Sequence, residues 1–306
     1  MSSNGDYIFL FKTNSTSVSL INKELYIKFI EKYCIDNSTS IHDLAMHPEK
    51  IVEILSNYDS LKPTTITSYL RKIYTLIKFN PIVFENNNLL IRWRICIDKS
   101  DAGRKVKELN NIASENEIAK YVPYDTCLSI LKNMPDEFIQ TKVLFGVYLL
   151  IPPVRNDYWN CRIISNDDQD QVITSNYNYI EIHKDGKMTF HINQYKTSKI
   201  YGPIITPCPD ELSNIISKSL IQLPRTHLFI RGDGSPYKTG CEFTAWANAR
   251  ISACTNNKTM SILTFRHVFL SRMEIKTKTP IELFELSKQM GHSLITQHRY
   301  IWDIDE

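Results

Sequence analysis

Two short motifs carry most of the information about the architecture of this chain. The first is Thr264-Phe265-Arg266-His267, and the second is GHSLITQHRY at residues 291–300. The first motif opens a helical pattern that continues through Phe269 and Leu270. Each motif alone is weak, since a single arginine or histidine on a helix is most often structural. Their order along the chain, taken with two upstream positions, is more informative.

The two upstream positions are an arginine and a lysine. Arg155 directly follows the apolar segment 143–154, and Lys196 falls in a predicted tight turn between two strands. An isolated arginine there is usually a surface or salt-bridge residue, and a lysine in a hairpin turn is usually just exposed to solvent. The four features follow one another as arginine, turn lysine, Arg-His on a helix, and Gly-His-Ser with a tyrosine soon after.

This order and spacing resemble the tyrosine recombinase family, which includes phage integrases and the recombinases that resolve chromosome dimers. The resemblance covers about residues 110–306. It implies a site-specific recombinase that cuts and rejoins double-stranded DNA through a covalent 3′-phosphotyrosine, without metal, ATP or another cofactor. It also implies self-association as a tetramer on DNA, and a location inside the cell with the DNA target: a prokaryotic cytoplasm, or the nucleus or viral factory of a host cell.

The resemblance also implies a role for each matching residue. Arg155 and Arg266 correspond to the two arginines whose guanidinium groups donate paired hydrogen bonds to the scissile phosphate. Tyr300 corresponds to the nucleophile. Lys196 would be the general acid that protonates the departing 5′ oxygen, and His292 would donate a hydrogen bond to the phosphate.

Three departures from the family pattern favour a divergent member, of a virus or a mobile element. Leu263 stands where the family commonly has a histidine, three residues before the second arginine. Tyr158 stands where an acidic residue is usual, although Asp157 adjoins it. His292 and Tyr300 are eight residues apart, one fewer than is common. The alternatives are a catalytically weak or inactive DNA-binding relative, and a type IB topoisomerase-like enzyme.

The predicted fold is mainly α-helical, with a small antiparallel three-stranded sheet in the second of two domains. Alternating residues 177–183, an Asp185-Gly186 turn and residues 188–195 predict a hairpin, and residues 200–206 predict a third strand. Residues 1–107 are expected to form a helical core-binding domain, and residues 108–306 a catalytic domain of the integrase type.

Within the first domain, helices are expected around Leu25 to Tyr33, from about His42 to Tyr58, and from Pro63 through Ile77. The charged, Asn-rich segment 103–115 is expected to be the interdomain linker. Helices are also expected at residues 123–134 and 137–150, and again after Pro209.

Charge adds a weaker hypothesis about DNA contacts. The net charge of +3 is only mildly basic, so binding depends on where the basic side chains cluster. A solvated helix face and a set of phosphate contacts are both compatible with the basic residues of the first domain. The candidate DNA-binding residues are Arg71, Lys72, Arg92, Arg94, Arg104 and Lys105. Seven scattered cysteines, never spaced CxxC, predict reduced thiols rather than a metal or disulfide framework. No membrane partner is expected.

Overall fold

The computed structural model describes residues 24, 26–32, 39–57, 61–80, 87–165, 176–273 and 277–302. The chain divides into two compact units, Met1–Lys107 and Glu108–Glu306. Each unit has its own buried apolar cluster. No helix in the described part of the chain is long and apolar enough to cross a membrane.

The first unit is built from helices. They are α1 (Ile41–Met46), α2 (Pro48–Ser56), α3 (Pro63–Lys78) and α4 (Asn87–Leu109), and residues 26–32 are helical as well. Helix α3 begins at Pro63 as predicted, and its apolar stripe is buried. The single helix expected over residues 42–58 is wrong: Pro48 starts a second helix there, because proline lacks the N–H needed inside a helix and suits its first turn.

Helix α4 also corrects the expected linker. The charged segment that begins at Gly103 continues α4 as far as Leu109, and the chain turns only at Asn111, whose φ is +56°. Lysine, arginine, glutamate and leucine are good helix formers, so a charged composition alone did not mark an irregular segment. Leu25 and Tyr33 of the first predicted helix lie outside the described residues.

The second unit combines helices with one small sheet. Its helices are α5 (Glu115–Ile118), α6 (Tyr124–Asn133), α7 (Ile139–Leu149), α8 (Ser198–Tyr201), α9 (Asp210–Gln222), α10 (Gly240–Thr255), α11 (Ile262–Ser271), α12 (Pro280–Gln289) and α13 (Leu294–His298). Short 3-10 turns lie at Asp136–Phe138 and Asp157–Asn160. Helix α7 is almost wholly apolar and buried, and it packs against α6, α9 and α11. Helix α7 therefore lies at the centre of the second unit.

The sheet corrects the prediction of three antiparallel strands. It has four strands in the order β1 (Arg162–Ser165), β2 (Tyr179–Ile182), β3 (Met188–Ile192) and β4 (Ile204–Pro207). Strand β1 pairs with β2 in parallel, while the other two pairings are antiparallel. The predicted hairpin is present, with Gly186 in the left-handed region at φ +79°. The short β1 was missed because a four-residue strand joined by a long connection gives no local hairpin signal.

Candidate active site

Arg266 connects three parts of the second unit. It lies on α11, whose first turn is fixed by a capping box between Ser261 and Thr264. Its side chain is 0% exposed, and its two terminal nitrogens donate to the carbonyl of Pro153 at 2.8 Å and that of Met290 at 3.0 Å. These carbonyls come two residues before Arg155 and two before His292. Arg266 thereby joins the first arginine segment to the Gly-His-Ser motif.

Tyr300 lies beside Arg266. The Arg266 guanidinium carbon is 4.7 Å from the centre of the Tyr300 ring, and the His292 ring stacks on the same tyrosine at 5.4 Å. Burial lowers the pKa of Arg266, while the nearby Tyr300 oxygen acts in the opposite direction. The sequence-predicted residues Arg266, His292 and Tyr300 are therefore in direct proximity.

His292 is 2% exposed and is held by a tight turn. The preceding Gly291 has a φ of +68°, and a Cβ there would lie 2.9 Å from a ring carbon of Tyr195. The Nδ1 of His292 is 3.1 Å from the carbonyl of Ser293, which can only accept, so Nδ1 carries the proton. Its Nε2 is buried and has no hydrogen-bond partner among the described residues. Burial, followed by the charge of Arg266, lowers the pKa of His292 to about 3. The ring is thus neutral, with an unpartnered acceptor nitrogen.

Lys196 is exposed in the connection between β3 and α8. The next residue attaches this connection to the histidine turn, because the Thr197 hydroxyl donates to the carbonyl of Gly291 at 2.7 Å. Tyr195 packs beside the same glycine and donates its hydroxyl to the Gly202 carbonyl at 2.7 Å. Lys196 therefore lies one residue from a fixed contact with the segment that carries His292. Nothing in the sequence distinguished Thr197 from an ordinary turn threonine.

Arg155 is partly exposed and follows the carbonyl of Pro153 that Arg266 holds. Its own carbonyl accepts a hydrogen bond from the buried Tyr148 hydroxyl. Tyr158, at the position where an acid is usual, is a core residue that packs edge-to-face on Tyr148 and Phe190. The neighbouring Asp157 supplies a carboxylate instead. Burial raises the pKa of Asp157, and the charges of Arg155 and Arg266 oppose that shift.

Leu263 stands where the family commonly has a histidine, and its side chain cannot transfer a proton. Leu263 is 53% exposed. His267 is engaged elsewhere: its ring stacks on Trp302 at 3.6 Å, and its Nδ1 is 3.0 Å from the carbonyl of Tyr300. Burial lowers the pKa of His267 to about 4. His267 thus supports the backbone of the tyrosine segment.

The predicted DNA-binding residues of the first unit make contacts within that unit. Arg71 pairs with Asp101 at 3.2 Å, Arg92 with Glu49, and Lys105 with Asp98 at 2.8 Å. Arg94 donates to the Tyr74 hydroxyl at 3.2 Å, and Lys72 lies 4.9 Å from the Tyr69 ring and 5.1 Å from the Phe29 ring. The side chain of Arg104 lies outside the described residues. Their role on DNA stays a prediction.

Comparison with known proteins gives the class of fold. No protein-family model and no curated protein matches the sequence. Among solved structures, the Tn1549 transposon integrase in complex with circular intermediate DNA is similar, with a TM-score of 0.57 and 16% identity over 98% of this chain and 96% of that chain. A tyrosine-to-phenylalanine variant of that integrase, in complex with transposon right end DNA, has a TM-score of 0.53 and 14% identity over 98% and 95%.

The XerA recombinase covers 98% of this chain and 94% of its own, with a TM-score of 0.43 and 10% identity. The two integrase structures carry the conclusion about architecture. The chain has the fold of the tyrosine recombinases. More particularly, it is similar over nearly its whole length to the integrase of Tn1549.

Proposed function

We propose that the protein is a site-specific DNA recombinase or integrase that cleaves and rejoins DNA through a covalent 3′-phosphotyrosine at Tyr300. The observation that carries this proposal is the environment of Arg266. The guanidinium is buried beside Tyr300, and its two terminal nitrogens donate to backbone carbonyls. A buried cation without a hydrogen-bonded carboxylate is costly, and within the part of the chain that the structure describes Arg266 has no such carboxylate and its Nε has no partner. An anionic phosphate would supply the missing acceptor and charge.

The chemistry follows from the residues around that phosphate. The Tyr300 oxygen attacks phosphorus, a bond forms between them, and the bond from phosphorus to the 5′ oxygen breaks. Arg155 and Arg266 stabilise the extra negative charge of the five-coordinate transition state. Lys196 gives a proton to the departing 5′ oxygen. Attack by a 5′ hydroxyl on the phosphotyrosine reverses each transfer, so the bond energy is conserved without ATP.

The phenol proton needs an acceptor, because a phenol of pKa about 10 is mostly un-ionised at neutral pH. Leu263 cannot accept it, and His267 already bonds the Tyr300 carbonyl. His292 has the buried, unpartnered Nε2 and stacks on the tyrosine ring. Burial and then the charge of Arg266 lower the pKa of His292, and an anionic phosphate bound to Arg266 would oppose the second effect. In this proposal His292 takes the phenol proton only when that phosphate is bound, and the charged ring then donates a hydrogen bond to it.

The two units would divide the work on DNA. The second unit, residues 108–306, would hold the cleavage chemistry, and the first unit, residues 1–107, would grip the duplex through phosphate contacts. The Tn1549 integrase, which is similar over its length, was solved in complex with DNA. That supports double-stranded DNA as the partner. Assembly as a tetramer on DNA is part of the same proposal.

The test is a metal-free incubation with nicked suicide substrates, read as a denaturation-resistant protein–DNA adduct. We expect an adduct with the wild type and none with Tyr300→Phe, which removes one hydroxyl and should leave binding by gel shift unchanged. Exposed Leu263 favours a second candidate, an inactive DNA-binding relative. Clear binding without adduct on any substrate would favour that candidate. Relaxation of supercoiled plasmid without joining of two sites would indicate the topoisomerase alternative.

A further inference from the structure

We propose that Asn178 is a positioning residue that sets the place of Lys196, the proposed general acid, relative to the segment that carries Arg155. This inference rests on the proposed function and deepens it, because Asn178 lies outside the motifs from which the site was predicted. The Asn178 side chain is 1% exposed, so it acts through the backbone near Lys196 and not by touching DNA.

The side-chain amide of Asn178 joins two segments that are far apart in the sequence. Its Nδ2 donates to the carbonyl of Asp157 at 2.9 Å and to the carbonyl of Gln194 at 3.0 Å. Its Oδ1 accepts from the backbone N–H of Gln194 at 2.7 Å. Carbonyls can only accept and a backbone N–H can only donate, so these partners fix the orientation of the amide. An aspartate could not donate to the two carbonyls, and a glutamine is one carbon longer, so the contacts favour asparagine.

These two segments carry two of the residues proposed to do the chemistry. Asp157 comes two residues after Arg155, and Gln194 comes two residues before Lys196. Lys196 is exposed, and its flexible side chain has many rotamers. The region that its ammonium group can reach is therefore set by the position of its backbone, which Asn178 ties to the Arg155 segment.

The sheet holds Asn178 itself in place. Its own carbonyl accepts from the N–H of Arg162, the first residue of β1, at 2.8 Å, and the residue after it, Tyr179, begins β2. The paired residues of β2 and β3 end at Tyr179 and His191. Beyond that pair, the amide of Asn178 supplies hydrogen bonds that hold the chain after β3. The Lys196 turn is thus tied to the sheet as well as to the Arg155 segment.

The contact of Thr197 with the Gly291 carbonyl holds the other side of Lys196. Lys196 therefore lies between two fixed points, one made by Asn178 and one made by Thr197. Without the Asn178 amide, the turn keeps only the second point, and the ammonium group would move relative to the departing 5′ oxygen. We therefore expect loss of Asn178 to impair proton donation more than DNA binding.

The first experiment compares single-turnover cleavage by the wild type, Asn178→Ala and a matched control, Asn193→Ala. The Asn193 amide donates to the Tyr177 carbonyl at 3.0 Å and so joins the same ends of β2 and β3. We expect Asn178→Ala to slow cleavage by about a hundredfold, because misplacing a reacting group by about an ångström costs on that order. DNA affinity should stay within about twofold, since phosphate contacts dominate it. Asn193→Ala should stay close to the wild type, and equal rates for the two variants would overturn the proposal.

A substrate with sulfur at the 5′ bridging position separates the placement of Lys196 from a general loss of structure. A thiolate departs without being protonated, so the defect of Asn178→Ala should nearly disappear on this substrate. A defect of the same size on both substrates would mean that Asn178 supports the fold or the phosphate site, and would overturn the proposal. Adduct formation by the wild type on both substrates tests the proposed function separately.

A double variant tests whether Asn178 acts through Lys196. Added to Lys196→Ala, Asn178→Ala should cause little further loss of rate on the ordinary substrate, because the group that it positions is already absent. A further loss as large as that of Asn178→Ala alone would make the two residues independent, and would overturn the proposal.

Hydrogen–deuterium exchange gives a readout that needs no activity, so it also decides the proposal if the wild type forms no adduct. Asn178→Ala removes the acceptor of the Gln194 N–H, and we expect faster exchange in residues 193–197. Asn178→Ser, which keeps a hydroxyl, is the milder variant to use if Asn178→Ala does not fold. Unchanged exchange in residues 193–197 would mean that Asn178 does not hold the Lys196 turn, and would overturn the proposal.

Discussion

Single substitutions can test whether His292 fills the acid–base role of the histidine that Leu263 replaces. We expect His292→Ala to lower the rate of adduct formation by about 10² to 10⁴, the usual contribution of a positioned acid–base group. Adding Leu263→His to that variant should restore part of the rate, because it places an imidazole in the first turn of α11, three residues before Arg266. Single-turnover cleavage of the wild type, both single variants and the double variant measures this. No recovery in the double variant, with His292→Ala impaired, would mean that position 263 cannot reach the reacting group.

Two buried histidines also give the second unit a pH dependence of stability. The pKa values of His267 and His292 fall to about 4 and about 3, below the usual value of about 6.5. Unfolded chains therefore bind more protons between these limits, so stability is present above about pH 6.5 and is lost as the pH falls toward the folded-state values. Denaturant midpoints from pH 7.5 to 4.5 should decrease. His267→Phe keeps an aromatic ring against Trp302 and should show a shallower decrease; an equal slope would assign the effect to other groups.

The connection between β3 and α8 is predicted to support cleavage through its contact with the His292 segment. Thr197→Val keeps the shape of the side chain but removes the hydrogen bond to Gly291. We expect a loss of unfolding free energy of about 1 kcal/mol. We also expect slower cleavage, since the Lys196 turn loses its attachment to the His292 segment. A substrate with sulfur at the 5′ bridging position needs no general acid, so it should cancel the cleavage defect of Lys196→Ala and most of that of Thr197→Val. A defect that persists with this substrate would place Thr197 outside the leaving-group step.

The same elements indicate what a single sequence can predict. Helix α3 was predictable because its apolar stripe and starting proline are local features, and the β2–β3 hairpin because Asp185-Gly186 marks its turn. The parallel strand β1 was not, since its partner lies beyond a long connection that leaves no periodic signal. The residues proposed to do the chemistry were found from motif order. The contacts between Thr197 and Gly291 and between His267 and Trp302 join residues 94 and 35 positions apart, and no local pattern encodes them.

DNA binding depends on the charge of the whole molecule. A net charge of +3 over 306 residues gives little general attraction to a polyanion. Affinity must then come from local basic side chains, and several of these are already paired. Arg71 is a poor choice for a test, since its removal would also break its salt bridge with the carboxylate of Asp101, which is 2% exposed. Arg94 is a better choice, because its partner is the neutral hydroxyl of Tyr74.

We therefore expect Arg94→Ala to weaken DNA binding about equally on all sequences and to reduce the slope of log affinity against log salt by about one, the signature of a single lost phosphate contact. Titrations by fluorescence anisotropy at several salt concentrations, on two unrelated duplexes, measure both quantities. Glu53→Ala removes an exposed charge of opposite sign from α2 of the same unit and is the control. An unchanged slope in Arg94→Ala would mean that this arginine does not contact a phosphate of the duplex. Loss of affinity on one duplex alone would mean that it recognises bases instead of phosphate.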